Sequence, residues 1–244
     1  VWGEPYDHSA IVQRMAEMLT PIDDRWPPDP YIVTESNRPS ADRWIANAYP
    51  HPHDLLAAHR SFFDRLFVEP AAALGYTRWG IKAVRLSGAH AAYLKALYPG
   101  AVVVMIHRNP YDAFLSYRLL HDIRPHSRWW YHRWPDDAVA TAARFGEIWR
   151  DLTESFMAWG PRLGAEIVAF EDLRSGSDLE RIEALTGLAI DRGVLEQRVG
   201  ATGDQRGEWS GVRRDLSDDE SLAIRRTAGG LASRLGYVGP SGVD

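Results

Sequence analysis

The sequence predicts an α/β fold in three layers, with a small parallel sheet flanked by helices. Two short runs of β-branched and apolar residues, at 101–106 and 165–170, are typical of strands buried on both faces of a parallel sheet. Segments with the apolar spacing of helices alternate with such runs, and no repeat or low-complexity tract interrupts them. This alternation favours parallel strands joined by right-handed crossovers. With four or five strands visible, helical residues should clearly outnumber strand residues.

The first hundred residues are predicted to be mainly helical. Residues 21–53 are rich in proline and are interpreted as a loop-rich connection. Pro70 falls inside the next helical pattern, where it is expected to kink the helix or divide it in two. The predicted elements of this half are helices from Asp7 or Ser9 to Leu19, at 54–74 and at 88–97, and a strand at 78–84.

The second half is predicted to hold the two buried strands and their helices. An aromatic and basic loop is expected at 124–135, where it could bind an acceptor or pack on the sheet. The pattern Ser217-Asp218-Asp219-Glu220 is a capping box that opens a C-terminal helix. The other predicted elements are helices at 136–159 and 178–185, and the C-terminal helix runs to Leu235.

The central strand is followed directly by a helix, and this junction has the composition of an anion site. Asn109 suits the N-cap, Pro110 suits the first helical position, and Asp112 suits the positive end of the helix. Backbone N–H groups and the helix dipole favour an anion at such an edge, and the Arg108 guanidinium can bind phosphate oxygens with two hydrogen bonds. Ser116 follows about two turns into the helix and could place a hydroxyl near the same anion.

The pattern Arg108-Asn109-Pro110-x-Asp112-x-x-x-Ser116 resembles the 3′-phosphate motif of sulfotransferases that use 3′-phosphoadenosine 5′-phosphosulfate (PAPS). The resemblance implies that Arg108 and Ser116 hold the 3′-phosphate of PAPS. It also implies the P-loop NTPase-like fold of sulfotransferases. The alternative for this stretch, taken alone, is an ordinary strand–turn–helix with a solvated arginine.

A glycine-rich stretch with three arginines, at 203–217, resembles the late nucleotide loop of the same family. Glycines permit close approach of the backbone to a ligand, and arginines supply paired donors to phosphate. The resemblance implies that this loop closes over the 3′-phosphate and the adenine. The alternative is a flexible basic loop. The residues concerned are Arg206, Gly207, Trp209, Arg213 and Arg214.

Two catalytic residues are implied by further resemblances. Arg78-Trp79-Gly80-Ile81-Lys82 is similar to a family strand whose lysine neutralises charge on the departing phosphate. The residues after it depart from the family pattern, so the alternative for Lys82 is a cap of the sheet edge.

Trp2-Gly3-Glu4-Pro5 resembles a Gly-Glu pair that supplies the general base in one branch of the family. The alternative is a loop glutamate that caps the first helix, and His8 is the nearest substitute base. The family's 5′-phosphosulfate loop does not occur in residues 1–244, so we expect a strand and this loop upstream of Val1.

The remaining acidic and histidine-rich stretches are interpreted as structural. Glu171 and Asp172 follow the second buried strand and are expected to cap or brace neighbouring loops. The histidines show no spacing typical of a zinc site, and we expect no metal.

The composition limits the classes of function. The chain has 244 residues, of which 45% are hydrophobic, and we expect a single domain over residues 1–244. A net charge of −5 argues against nucleic-acid partners, and the lack of cysteine excludes a thiol nucleophile. No apolar run reaches the roughly 20 residues of a membrane span, and no signal-peptide pattern is visible, so a cytoplasmic location is the expectation.

These stretches together predict a PAPS-dependent sulfotransferase that acts on a hydroxyl or amine of a small-molecule, carbohydrate or peptide acceptor. PAPS is the co-substrate and adenosine 3′,5′-bisphosphate is the product. Two alternatives remain open at this point: a non-catalytic module that binds adenosine 3′,5′-bisphosphate, and a small-molecule kinase. The acceptor and the oligomeric state cannot be read from the sequence.

Overall fold

A computed structural model describes residues 6–19, 51–84, 86–123, 141–193 and 215–240, with the backbone alone at 6–10 and 119–123. Nine α-helices and two β-strands occur within these ranges. The helices are α1 (Tyr6–Glu17), α2 (Pro52–Phe63), α3 (Glu69–Ala73), α4 (Gly88–Leu97), α5 (Pro110–Ile123), α6 (Ala142–Leu163), α7 (Phe170–Ser175), α8 (Leu179–Thr186) and α9 (Asp218–Arg234). The strands are β1 (Val104–His107) and β2 (Glu166–Ala169).

The chain divides into two compact units. The first comprises residues 1–84 and 93–100, and the second comprises residues 85–92 and 101–244. The expectation of one domain over residues 1–244 therefore stays a prediction.

The first unit has an aromatic core built on α2 and the turns that follow it. Phe63 and Phe67 are fully buried and their rings stack at 5.9 Å between centroids. The Trp79 ring stacks on Phe67 at 5.6 Å. His59 is also buried, and its Nδ1 forms a hydrogen bond of 2.9 Å with the Tyr93 hydroxyl. Burial lowers the pKa of His59, which favours the neutral imidazole inside this core.

The helical segment at 52–73 passes through Pro70 without a break. Residues 64–68 form a π-helical turn, in which the Glu69 N–H donates to the Asp64 carbonyl. This wider turn directly precedes Pro70, whose ring would crowd the Leu66 carbonyl in a regular α-helix. The proline therefore changes the helix locally and does not end it.

Residues 78–84 do not form the predicted strand. Within the part of the first unit that is described, Ile81 alone makes an isolated bridge, its neighbours at 78–80 and 82–83 have no regular secondary structure, and Val84 lies in a bend. The residue types suit a strand, but a strand also needs a partner along its length.

The second unit contains the parallel pair β1 and β2. Their register runs from Val104 opposite Glu166 to His107 opposite Ala169, so both strands end at the same edge. Helices flank this small sheet, which confirms the predicted α/β class and is consistent with a three-layer fold.

The core of the second unit forms where α6 packs along α9 and against α5. It is built from buried apolar residues of the three helices, among them Phe114, Trp149, Ile224 and Ala228. Since α6 also contacts both strands, this core packs against the sheet.

Helix α6 ends later than predicted. It continues through Pro161 and stops at Gly164, which adopts a left-handed conformation with φ of 60°. A proline ring normally clashes with the Cβ of the residue before it, but that residue here is Gly160. The pair Gly160-Pro161 therefore fits inside the last turns of the helix.

Candidate functional site

The turn between β1 and α5 is held by the side chain of Asn109. Asn109 is buried, and its Oδ1 accepts a hydrogen bond of 3.0 Å from the Tyr111 N–H. Its carbonyl accepts a bond of 2.9 Å from Ala113. Asn109 is thus the N-cap of α5 and Pro110 is its first residue, which confirms the predicted start of this helix.

The short helix that follows the adjacent strand contributes Glu171 to this turn. Glu171 lies in α7, just past the end of β2, and its Oε1 accepts a hydrogen bond of 3.0 Å from the Asn109 N–H. The anion beside this backbone donor at the start of α5 is therefore a carboxylate of the protein itself. The bracing role predicted for Glu171 is confirmed, and a ligand anion would have to be bound mainly by side chains.

The C-terminal tail after α9 reaches the same turn. The Tyr237 hydroxyl donates to Glu171 Oε2 at 2.9 Å and lies 2.9 Å from Nδ1 of His107. The Asn109 side-chain amide donates to the Gly239 carbonyl at 2.8 Å. Burial lowers the pKa of His107, although the charges of Glu171 and Asp172 oppose this shift. Burial raises the pKa of the Tyr237 hydroxyl, and the nearby Glu171 adds to the shift, so this hydroxyl keeps its proton.

Arg108 is held through its backbone, and its guanidinium group contacts an aromatic ring. Its carbonyl accepts a hydrogen bond of 2.9 Å from Nε1 of Trp149, in α6. The residue is half-buried, and its guanidinium lies over the Phe170 ring, 4.9 Å from the centroid. Among the residues that the structure describes, no carboxylate lies within salt-bridge distance of this group. An arginine whose guanidinium has no carboxylate partner among the described residues is suited to bind an anion.

Ser116 lies on α5, about 10 Å along the helix from Asn109 at the usual rise per residue. Its side chain is half-buried, and its hydroxyl makes no hydrogen bond to the residues described here. Arg108 and Ser116 thus lie on one strand–helix unit, as the sequence predicts.

An ion pair connects α5 to the start of α9. Nη1 of Arg118 donates to both carboxylate oxygens of Glu220, at 2.9 and 2.8 Å, and Nη2 donates to the Asp215 carbonyl at 2.9 Å. Glu220 also completes the predicted capping box with Ser217, which is confirmed. Burial acts to raise the pKa of Glu220, but hydrogen bonds from Ser217 and Arg118 outweigh it and lower this pKa to about 2.

The other predicted site residues fall in the first unit or outside the described residues. Lys82 is exposed and belongs to the first unit. Glu4 and the five residues of the glycine-rich stretch, Arg206, Gly207, Trp209, Arg213 and Arg214, lie outside the described residues.

Sequence reasoning missed three residues that hold the turn or the ion pair: Trp149, Arg118 and Tyr237. Trp149 and Arg118 sit inside long helical patterns that give no sign of a polar partner. Tyr237 follows Gly236, and this glycine indicates where α9 ends but not where the tail goes next.

Two further properties concern only the described residues. They contain no group of three or more histidine, aspartate or glutamate side chains that could hold a metal ion. None of their helices is both long enough and apolar enough to cross a membrane.

The fold is α/β, and Arg108 lies at the junction where β1 leads into α5. A sequence model described as the sulfotransferase family matches residues 8–191, which is most of the chain. The chain therefore belongs to the sulfotransferase family. No curated protein and no solved structure gave a significant match.

Proposed function

We propose that the protein transfers the sulfuryl group of PAPS to a hydroxyl or amine of a small-molecule, carbohydrate or peptide acceptor. Membership of the sulfotransferase family supports sulfuryl transfer in general. The choice of PAPS as the sulfuryl donor rests on the contacts that Arg108 makes. Its carbonyl is bound by Trp149, while its guanidinium has no carboxylate partner among the described residues.

The hydrogen-bond donors of this strand–helix unit suit the binding of a phosphate monoester. A guanidinium can donate two parallel hydrogen bonds to phosphate oxygens, and the Ser116 hydroxyl can add a third. The backbone N–H of Asn109 is already bound to Glu171. Binding would therefore depend on side chains, which supports Arg108 and Ser116 as the proposed ligands of the 3′-phosphate.

The glycine-rich stretch is proposed to complete the nucleotide site. Arg206, Gly207, Trp209, Arg213 and Arg214 are assigned to the 3′-phosphate and the adenine by resemblance. The bond from Arg118 to the Asp215 carbonyl supports this assignment. It attaches the residue that follows Arg214 to α5, the helix that carries Ser116.

The proposed reaction is an in-line displacement at sulfur. A bond forms between sulfur and the acceptor atom, while the bond between sulfur and the bridging oxygen breaks. The acceptor proton passes to Glu4, and Lys82 neutralises the charge that develops on the departing phosphate. The proposal assigns no metal to the reaction.

The proposed role of Arg108 is tested by comparing two nucleotides that differ in the 3′-phosphate. Arg108→Ala and Ser116→Ala should each weaken the binding of adenosine 3′,5′-bisphosphate by roughly 1.5–3 kcal/mol, or about 10- to 150-fold in Kd. Adenosine 5′-phosphate should bind almost as before, because it lacks the group that these side chains contact. Titration calorimetry measures both affinities.

Arg162→Ala is the matched control, since Arg162 also stacks on an aromatic ring, that of Trp159 at 5.6 Å. It should leave both affinities unchanged. Equal losses for both nucleotides in Arg108→Ala would contradict the assignment. A PAPS turnover assay is run beside the titrations: binding without turnover favours the non-catalytic module, and preference for ATP favours a kinase.

A further inference from the structure

The chain reverses direction after α9 and returns to the β1–α5 turn. Gly236 adopts a positive φ of 86°, which only glycine takes up without strain, and the Tyr237 N–H donates to the Ala232 carbonyl at 2.8 Å. The Tyr237 ring then packs edge-on against His107 and Trp149, at 5.7 and 6.4 Å between centroids. The tail is therefore anchored at its own helix end before it contacts the turn.

The tail binds the residues on both sides of Arg108. Tyr237 bonds to the side chain of His107, and the Gly239 carbonyl accepts from the side chain of Asn109. Glu171 connects these contacts, because one carboxylate oxygen accepts from Asn109 and the other from Tyr237. The backbone of Arg108 lies between two residues that the tail holds.

The hydrogen bonds in this cluster fix the position of one proton. An ionised carboxylate only accepts hydrogen bonds, so the Tyr237 hydroxyl donates its single proton to Glu171. The bond between Tyr237 and His107 must then be donated by the imidazole. His107 therefore carries a proton on Nδ1. The hydrogen bonds from His107 to Tyr237 and from Tyr237 to Glu171 form a relay, and this proton makes the relay testable without any nucleotide.

We infer that Tyr237 is a positioning residue of the nucleotide site. It acts through His107 and Glu171 on the backbone that presents the Arg108 guanidinium. A guanidinium whose backbone is held in place loses less freedom when it binds a phosphate, so its affinity is higher. This inference rests on the proposed function, since it assigns Arg108 to the 3′-phosphate of PAPS.

Tyr237→Phe tests the inference because it keeps the ring and removes the hydroxyl. Removing the hydroxyl leaves Nδ1 of His107 and one oxygen of Glu171 without this partner. Because the two lost bonds act on Arg108 only through its backbone, the Kd of adenosine 3′,5′-bisphosphate should rise by about 3- to 10-fold, no more than one direct hydrogen bond contributes, and that of adenosine 5′-phosphate should not change. Tyr98→Phe is the matched control: it removes a tyrosine hydroxyl that donates to Asp64 at 2.8 Å in the first unit. It should leave both constants unchanged.

The two proposals fail in different ways. If the wild-type protein does not distinguish the two nucleotides, the proposed function is overturned, and this inference with it. If the wild type distinguishes them and Tyr237→Phe keeps the same ratio of affinities, the inference alone is overturned. Equal weakening of both nucleotides also overturns it, because that result indicates a general structural role.

The position of the proton on the His107 ring provides a second measurement. Nitrogen-15 chemical shifts of labelled histidine should show His107 of the wild type with its proton on Nδ1. In Glu171→Gln the amide oxygen must accept from Asn109, so the amide N–H faces Tyr237 and donates to it. The tyrosine then donates to His107, and the proton should move to Nε2. A wild-type His107 with its proton on Nε2, or no change in Glu171→Gln, would overturn the relay.

Discussion

The carboxylate of Glu171 decides how the turn after β1 can bind an anion. It already accepts from the Asn109 backbone, and the Asn109 side chain accepts from the Tyr111 backbone. These two donors at the helix start thus have partners within the protein. An anion at this turn would be held chiefly by the Arg108 guanidinium. The preference for a nucleotide with a 3′-phosphate should therefore depend on this side chain and not on the helix dipole.

The assignment of Glu4 as general base leads to a prediction about turnover. Glu4→Gln keeps the shape of the side chain and removes its basicity. We expect kcat to fall by about 10²-fold or more, with nucleotide affinity nearly unchanged. Steady-state kinetics with PAPS and titration of adenosine 3′,5′-bisphosphate measure the two effects separately.

Glu17→Gln is a suitable control for this variant, because Glu17 is an exposed glutamate paired with Arg14 near the same end of the chain. Its kcat should match that of the wild type. A normal kcat in Glu4→Gln, or a loss that weaker PAPS binding explains, would remove Glu4 from the mechanism. His8 and the histidines at 121–132 would then be the next candidates.

At the scale of elements, the packing of α6 on α9 depends on the absence of a side chain at Gly146. A Cβ at this position would overlap Oγ1 of Thr227 and lie 3.2 Å from its Cβ. Thr227 is branched, and its hydroxyl donates to the Ala223 carbonyl at 2.9 Å. It therefore cannot move aside without losing that bond.

Gly146→Ala should destabilise the protein by about 1–3 kcal/mol, as expected for overpacking, despite the better helix propensity of alanine. Urea unfolding measures the change. Gly230→Ala is the matched control on α9, since a Cβ there meets nothing within 4 Å. It should stabilise the protein by roughly 0.5–1 kcal/mol.

A second variant identifies the cause of the destabilisation. In a Thr227→Ala background, the Gly146→Ala change should cost much less, because the overlapping hydroxyl is gone. An equal cost in both backgrounds would show that Thr227 is not the obstacle.

The sequence predicts local features well because their causes lie within a few residues. The N-cap at Asn109, the capping box at Ser217 and the bounds of α4 follow from neighbouring side chains, and all three are confirmed. Strand pairing at 78–84 and the helix end beyond Pro161 depend on partners elsewhere or on finer sterics, and both predictions were wrong. The same limit applies to the site: Arg108 and Ser116 share a local motif, whereas Tyr237 reaches the turn from 130 residues away.

At the scale of the whole molecule, the ion pair of Arg118 and Glu220 joins α5 to α9 and makes the stability of the protein depend on pH in acid. The pair is mostly shielded, with side-chain exposures of 13% and 23%. Arg118 also holds the Asp215 carbonyl, so one side chain of α5 contacts both the first turn of α9 and Asp215, three residues before this helix begins. The chain has 33 aspartate and glutamate residues, so its net charge of −5 becomes strongly positive as the carboxylates are protonated in acid.

The pKa of Glu220 sets the pH range in which this pair contributes to stability. Its pKa lies at about 2 in the folded protein, below the ordinary value of 4.5. The pair therefore stabilises the fold fully above pH 4.5, and this contribution is lost as the pH falls towards 2.

Glu220→Gln should lower the free energy of unfolding by roughly 1.5–3 kcal/mol at pH 7, the range for hydrogen bonds to charged groups. The difference from the wild type should shrink steadily below pH 4.5. Urea unfolding at pH 7, 5, 4 and 3 measures it, and Glu180→Gln, which removes an exposed carboxylate, corrects for the change in net charge. A difference that stays constant from pH 7 to pH 3 would show that the charge of Glu220 does not carry the stabilisation.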